Sequence, residues 1–360
     1  MYKSIVRPFL FRFNSDVVHD STVKWGSRAA ASGMVKNLAS MVYDYQSPSL
    51  KQEILGLNFR NPVGLAAGFD KNGTLAPIIE ALGFGFVEIG SITAIASTGN
   101  PKPRSFRLAE DQSLINRMGL NNDGAATIIK RLKKLRLSIP IGINIAKTHD
   151  PDITGDDALE DYFTSFTVAK DMADYITLNI SCPNTREGKT FEDPDVLYRL
   201  LKRLQIGSDL TLPPVFVKFS VDLDRERLAE LIDVTRSNSV SGYVAVNTSG
   251  IRTGLATSPG VLSRIGTGGL SGRAIRERSN RLINDIHELT YGAKPIIGVG
   301  GIFNAEDAIQ KIKAGADLLQ VYTGLVYEGP SIVRNINKGI KSYLRENGIE
   351  HIYQVRTSLS

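Results

Sequence analysis

Eight short apolar, β-branched runs govern what this 360-residue chain can fold into. They are PVGLAAG (62–68), GFVEIGS (85–91), IGINIA (141–146), YITLNIS (175–181), VFVKFS (215–220), GYVAVN (242–247), PIIGVG (295–300) and DLLQVY (317–322). Charged segments of helical period lie between most of them, over 191–206, 224–237, 273–289 and 304–314. Strands that are apolar almost throughout and alternate with helices belong to parallel sheets covered on both faces. Eight such units in ~300 residues predict an α/β fold, a closed (β/α)8 TIM barrel. A doubly wound open sheet is the alternative that the spacing leaves.

Residues 1–43 read differently. Val6, Phe9, Leu10 and Phe13 recur at helical spacing, as do Ala31, Met34, Val35, Leu38, Met41 and Val42. Asn14 suits the N-cap of a helix carrying Val17, Val18 and Val23. Residues 1–36 hold Lys3, Arg7, Arg12, Lys24, Arg28 and Lys36 against Asp16 and Asp20; six minus two is +4, out of +6 for the whole chain. Short amphipathic helices with basic polar faces suit an anionic membrane surface. No basic–aromatic RNA signature and no zinc spacing accompany them, so neither nucleic acid nor a metal is expected. DYQSPSLKQ (44–52), broken by Pro48, reads as a linker. The predicted organisation is a helical subdomain over 1–43, the linker, a catalytic barrel over 53–345 and a tail over 346–360. The apolar runs fall short of the ~18 residues of a spanning helix, and no signal peptide follows Met1. The single cysteine, Cys182, excludes an internal disulfide and fits a reducing compartment.

Active-site residues of such barrels sit at the C-terminal ends of the strands. There this chain places Ala66, Ala67, Gly68 and Lys71, then Ser91, Asn144, Asn179, Cys182 and Asn184, then Lys218, Asn247 and Thr248. Packing does not account for four asparagines and two lysines at strand ends. Lys218 lies inside an apolar strand, where a charge is costly unless compensated. It meets either a carboxylate or an electron-rich ligand. Asparagine offers donor and acceptor together, which suits a planar ring edged with carbonyls and N–H groups. Gly300-Gly301 and Tyr322-Thr323-Gly324 follow the seventh and eighth runs, where such barrels often bind phosphate. GGLSG (268–272) reads as a further glycine-rich turn. Phosphate and a planar polar ring favour FMN over an adenine dinucleotide, whose G-x-G-x-x-G fingerprint after a first strand is missing. Cys182 either fills core space or does chemistry.

NPVGLAAGFDKNG, GNPKPRSFRL, LINRMGLNN, LNISCPNT, TGGLSGR and PIIGVGGI stand in this order along essentially the whole chain. Together they resemble dihydroorotate dehydrogenase, and the basic helical N-terminus resembles its membrane-associated, quinone-using class. The resemblance implies oxidation of (S)-dihydroorotate to orotate in de novo pyrimidine (UMP) biosynthesis. A proton leaves C5 for Cys182, a hydride leaves C6 for one FMN per chain, and the electrons pass to ubiquinone or menaquinone. By motif position FMN would rest on Ala66, Ala67, Gly68, Ser91, Asn144, Asn179, Lys218, Val246, Ser271, Gly272, Gly300, Gly301, Tyr322 and Thr323. The substrate would meet Lys71, Asn116, Arg117, Met118, Gly119, Leu120, Asn179, Asn184, Asn247 and Thr248. The quinone would enter near His19 and Arg107, with Tyr322 between it and the flavin.

The quinone class usually carries serine where Cys182 stands, and cysteine there is the habit of the soluble class. Three further departures are Ala146 in NIAKTHD, where the family often has glycine; Val246, where it often has threonine; and SITAIASTGNPKPR, which lacks a common proline. Two competing readings follow from the residues. One is a soluble member of the same family using fumarate or a nicotinamide-linked partner. The other is a non-redox phosphate-binding barrel, an isomerase or aldolase docked by its tail. The leading expectation is a peripheral protein on the cytoplasmic face of a bacterial inner membrane. A mitochondrial protein with its leader removed would look similar.

Overall fold

A computed structural model describes residues 2–181 and 191–357. Among the described residues, eight parallel strands close into a barrel. In chain order they are Val63–Leu65, Phe86–Ile92, Ile141–Ile145, Tyr175–Asn179, Val215–Phe219, Gly242–Ala245, Ile296–Val299 and Leu318–Val321. Each falls on one of the eight apolar runs. The eighth strand pairs with the first, Leu319 opposite Val63 and Val321 opposite Leu65, which rules out the open sheet. The four predicted helical segments fold as Pro194–Arg203, Arg225–Ser237, Arg276–Leu289 and Ala305–Lys313, and further helices, such as Ala125–Leu132 and Gly155–Ala169, follow other strands. Asp193, Asp224 and Asn304 cap three of them by accepting from backbone N–H groups of the first turn.

Side chains alternate along each strand, and the two faces go to different places. Ile141, Ile143, Ile176, Leu178, Val215 and Val217 join the large core beneath the surrounding helices. Phe86, Tyr175, Phe216, Val244, Ile297 and Leu318 point inward at the N-terminal ends of the strands and form a separate cluster. A hairpin of Gln52–Ile54 and Leu57–Phe59 closes that mouth. Its Phe59 packs edge-on against Phe86 with centroids 5.3 Å apart. The barrel interior is therefore apolar below, and the next inward layer up carries Glu88, Asn144, Thr177, Lys218 and Gln320, all buried.

GGLSG is not a turn. Gly269–Gly272 is a strand, antiparallel to Ser113–Asn116, which in turn pairs with Ser105–Leu108. Its glycines serve close approach: a Cβ on Gly269 would lie 2.0 Å from Thr248 Oγ1. The strand thus passes directly over the end of the sixth barrel strand. The stretch 44–52 is also packed rather than loose. It contains the 3-10 turn Pro48–Leu50, and Leu50 is fully buried. Ile352 N–H donates to Ser49 O at 3.0 Å, and Ile352 and Val355 of the tail are buried.

The N-terminal segment forms helices Arg7–Leu10, Ser15–Ala31 and Gly33–Tyr43. Asn14 caps the second by accepting from Asp16 N–H at 2.8 Å. Asp16 is itself buried and accepts from Arg104 N–H at 2.8 Å. Tyr2 OH donates to Val326 O at 2.7 Å, and Lys3 pairs with Glu328 at 2.9 Å. These contacts hold the helices on the barrel. Their outer side leaves Phe9, Val17, Trp25, Leu38, Met34 and Met41 exposed, the last two at 82% and 84%.

Candidate active site

A cavity of about 640 Å³ opens where the barrel strands end. That is ample for a drug-sized ligand or cofactor. The end of the first strand contributes Ala66, Ala67, Gly68 and Lys71, and the second contributes Ser91. Asn179 and Ser181 come from the fourth, Lys218 from the fifth, and Val246, Asn247 and Thr248 from the sixth. Gly300 and Gly301 follow the seventh, and Tyr322 and Thr323 the eighth. The antiparallel sheet adds Asn116, Ser271 and Gly272, and the loop after Asn116 adds Arg117, Met118, Gly119 and Leu120.

Two expected residues stand elsewhere. Asn144 is fully buried one layer below the lining, where its Oδ1 accepts from Ser91 Oγ. Arg107 is not part of the cavity wall. Its guanidinium donates to Leu10 O at 3.4 Å and Phe13 O at 3.0 Å and stacks on Phe11, so it closes off the first helix. Cys182 and Asn184 lie outside the described residues. Arg117 reaches the cavity, but its head group donates to Ile265 O, Thr267 O and Pro103 O, which makes it a brace for the wall.

The polar residues form a connected floor. Asn247 Nδ2 donates to Asn179 Oδ1 at 3.1 Å and to Ser181 Oγ at 2.5 Å. Asn179 Nδ2 donates to Ser91 Oγ at 3.2 Å. Lys218, only 5% exposed, brings a cation to this floor. At the far end Ser271 Oγ and Thr323 Oγ1 lie 2.9 Å apart beside the glycine turns. Amide edges and a cation at one place, with hydroxyls and open backbone at another, form a donor set that fits a flavin ring and its phosphate.

One wall leads out toward the N-terminal helices. The rings of His19, Phe69 and Tyr322 follow one another edge-on, with centroids 5.9 and 5.4 Å apart. Burial, and next the charge of Lys71, hold the His19 imidazole down to about 4 against the opposing pull of Asp20. It is therefore neutral at neutral pH. Neither of its ring nitrogens has a hydrogen-bond partner among the described residues. Lys71 donates to Gly68 O at 2.6 Å, and burial with the nearby Arg104 lowers it to about 8. Burial alone raises Tyr322 to about 12, so its hydroxyl stays protonated.

Sequence reasoning passed over Ser220, Asp222 and His149, which also line the cavity, and Glu88 beneath it. Glu88 carried the same signal as Lys218, a charge inside an apolar run. Asp222 and His149 sit in loops with no periodicity to mark them, and Ser220 is the last residue of the run VFVKFS, just past its strand.

A parallel eight-stranded barrel with a polar, glycine-edged cavity at its C-terminal mouth defines a cofactor-using (β/α)8 enzyme. The family profile of dihydroorotate dehydrogenase matches residues 49–344. Relatives called dihydroorotate dehydrogenase (quinone) include one from Nostoc punctiforme, 42% identical over 98% of this chain and 96% of its own length. Another, from Gloeobacter violaceus, is 41% identical over 97% of each chain. Among solved structures, the enzyme of Eimeria tenella in complex with ferulenol superposes with a TM-score of 0.84 at 31% identity, covering 95% of this chain and 94% of its own. The chain belongs to the dihydroorotate dehydrogenase family.

Proposed function

We propose that this chain oxidises (S)-dihydroorotate to orotate in pyrimidine biosynthesis, with FMN as its cofactor and a quinone as electron acceptor. The observation that carries the reading is the matched family over the barrel, joined to N-terminal helices that run with the quinone-using relatives over nearly their full length. FMN, when bound, would supply the redox chemistry, as acceptor for the C6 hydride and donor of electrons to the quinone. The chain's own residues do the rest. Asn179 and Asn247, with Asn116 and Thr248, match the carbonyl and N–H edge of the substrate ring, and Asn184 joins them by motif position. Lys71 offsets the substrate's negative charge. Lys218 would offer its cation to the electron-rich part of a bound flavin. Ser271, Gly272, Gly300, Gly301 and Thr323 would hold the phosphate.

Cys182 is the base we assign to the C5 proton. It directly follows Ser181, which lines the cavity. His19, at the cavity's edge, offers a neutral imidazole whose Nδ1 lies 3.6 Å from Asp20 and whose Nε2 has no hydrogen-bond partner among the described residues, so Nε2 can face a quinone carbonyl, and its ring is followed edge-on by Phe69 and Tyr322. Residues 1–43 form the quinone- and membrane-facing part, 44–52 the connection, 53–345 the catalytic barrel and 346–360 the tail. Among the described residues no helix is long and apolar enough to cross a membrane. The association we propose is peripheral, through the exposed apolar side of the first helices and their basic residues. The cytoplasmic face of a bacterial inner membrane is the setting this reading favours.

The test is the visible spectrum under anaerobic conditions. Dihydroorotate is expected to bleach the flavin band, and a ubiquinone analogue, not fumarate, to restore it. Restoration by fumarate alone would move the chain to the soluble class that Cys182 suggests. Absence of bleaching would remove the dehydrogenase reading. For the membrane, Met34→Asp with Met41→Asp removes two of the most exposed apolar side chains, each worth ~1.5–3 kcal/mol if fully buried. Binding to vesicles of anionic phospholipid is expected to fall at least about tenfold, since insertion buries only part of each side chain. Unchanged co-sedimentation would place the contact elsewhere.

A further inference from the structure

The second barrel strand carries a carboxylate, Glu88, that is fully buried inside the barrel. Four neutral groups donate to it. Asn144 Nδ2 reaches one oxygen at 2.8 Å. Gln320 Nε2, Thr177 Oγ1 and Tyr175 OH reach the other at 2.7, 3.2 and 3.3 Å. They come from the third, fourth and eighth strands. An amide N–H faces each oxygen, so both oxygens act as acceptors.

That fixes the sense of everything above. With its N–H₂ committed to Glu88, Asn144 turns its Oδ1 upward and accepts from Ser91 Oγ. A serine that has given its one proton can only accept, and Ser91 accepts from Asn179 Nδ2 at 3.2 Å. Asn179 therefore keeps Oδ1 for Ser181 Oγ at 2.9 Å and Asn247 Nδ2 at 3.1 Å. Asn247 in turn holds its own Oδ1 toward Thr248 N–H at 2.8 Å. An asparagine amide can flip with little change of shape, exchanging donor for acceptor. A site that reads a ring by its carbonyl and N–H pattern cannot tolerate such a flip.

We infer that Glu88 is a positioning residue: it sets the donor–acceptor sense of the Asn144–Ser91–Asn179–Asn247 relay, and through it the hydrogen-bond pattern offered to the pyrimidine ring. The inference rests on the dihydroorotate reading of the site. Glutamine at position 88 keeps the shape but both donates and accepts, so the relay can run in either sense.

The experiment titrates orotate into the oxidised holoenzyme and follows the perturbation of the flavin spectrum, alongside thermal unfolding. Glu88→Gln is expected to retain flavin and to raise the Kd for orotate at least tenfold. Tyr175→Phe, which removes a donor from the lower side of Glu88, is expected to leave that Kd within twofold whatever it does to stability. Should Glu88→Gln give no folded protein, Glu88→Asp keeps a carboxyl group but stops one methylene short of Asn144, and the same loss is expected. An orotate Kd within twofold of the parent's in the Glu88 variant overturns the inference. So does weakening that tracks the fall in unfolding temperature equally in the Glu88 and Tyr175 variants. A parent holoenzyme whose flavin spectrum ignores orotate, by contrast, overturns the functional reading itself, and this inference with it.

Discussion

Cys182→Ala is expected to slow flavin reduction by dihydroorotate by about 10²- to 10⁴-fold, the usual contribution of a positioned general base. Flavin content and orotate affinity should stay close to the parent's, because our reading has the ring held by the asparagines and not by the thiol. Cys182→Ser is the more informative variant. A thiol ordinarily titrates near ~8.5, whereas a serine hydroxyl stays protonated throughout the working range. The serine enzyme is expected to keep part of the activity and to need a higher pH to express it. Stopped-flow bleaching across pH measures both. A pH profile that does not move in Cys182→Ser would remove Cys182 from the role of base. Cavity residues make the position suitable: Ser181 directly precedes it, and Ser181 already hydrogen-bonds Asn179 and Asn247.

The barrel was legible because its strands carry their own signal. Runs such as VFVKFS and PIIGVG are buried on both faces, so nearly every residue must be apolar, and the exceptions stand out. Lys218 was found this way. Glu88 obeys the same rule in GFVEIGS and was missed, because that run was read for Ser91 at its end and not for the charge within it. The antiparallel sheet was not legible. Gly269–Gly272 has no periodicity, and what makes it a strand is its pairing with Ser113–Asn116, far back along the chain. Arg107 illustrates another limit. The residue type fits an anion or quinone site, but helix ends leave carbonyls unsatisfied, and the guanidinium goes to those of Leu10 and Phe13. Conversely, Asn14 was read correctly as a cap because capping is decided within three residues.

Gly301→Ala is expected to weaken FMN binding at least about a hundredfold, equivalent to ~2.7 kcal/mol. Gly301 has φ +73°, in the left-handed region, where a side chain costs of order 1 kcal/mol. The larger effect is steric. A Cβ there would lie 2.4 Å from Arg276 Cβ and 2.8 Å from Arg276 Cα. Neither side can give way. Arg276 opens the helix Arg276–Leu289 and is tied to Asp307 at 2.7 Å. The other oxygen of Asp307 accepts from Phe303 N–H at 2.9 Å, and Asp307 N–H donates to the Asn304 cap at 2.9 Å. The turn after the seventh strand is thus latched at both ends, and an added methyl must push Gly300-Gly301 into the cavity at the place we propose for the phosphate. Gly348→Ala provides the control. It sits at φ +65° with nothing within 4 Å of its Cβ, so it shares the backbone strain without the collision. The flavin-to-protein ratio after desalting, and titration of the apoprotein with FMN, should separate the two variants, and the unfolding temperature should fall further in Gly301→Ala, which adds the collision to the shared strain. Equal flavin retention in both would mean that the seventh-strand turn does not bear on the phosphate, and that the anion is held by Ser271, Gly272 and Thr323 alone.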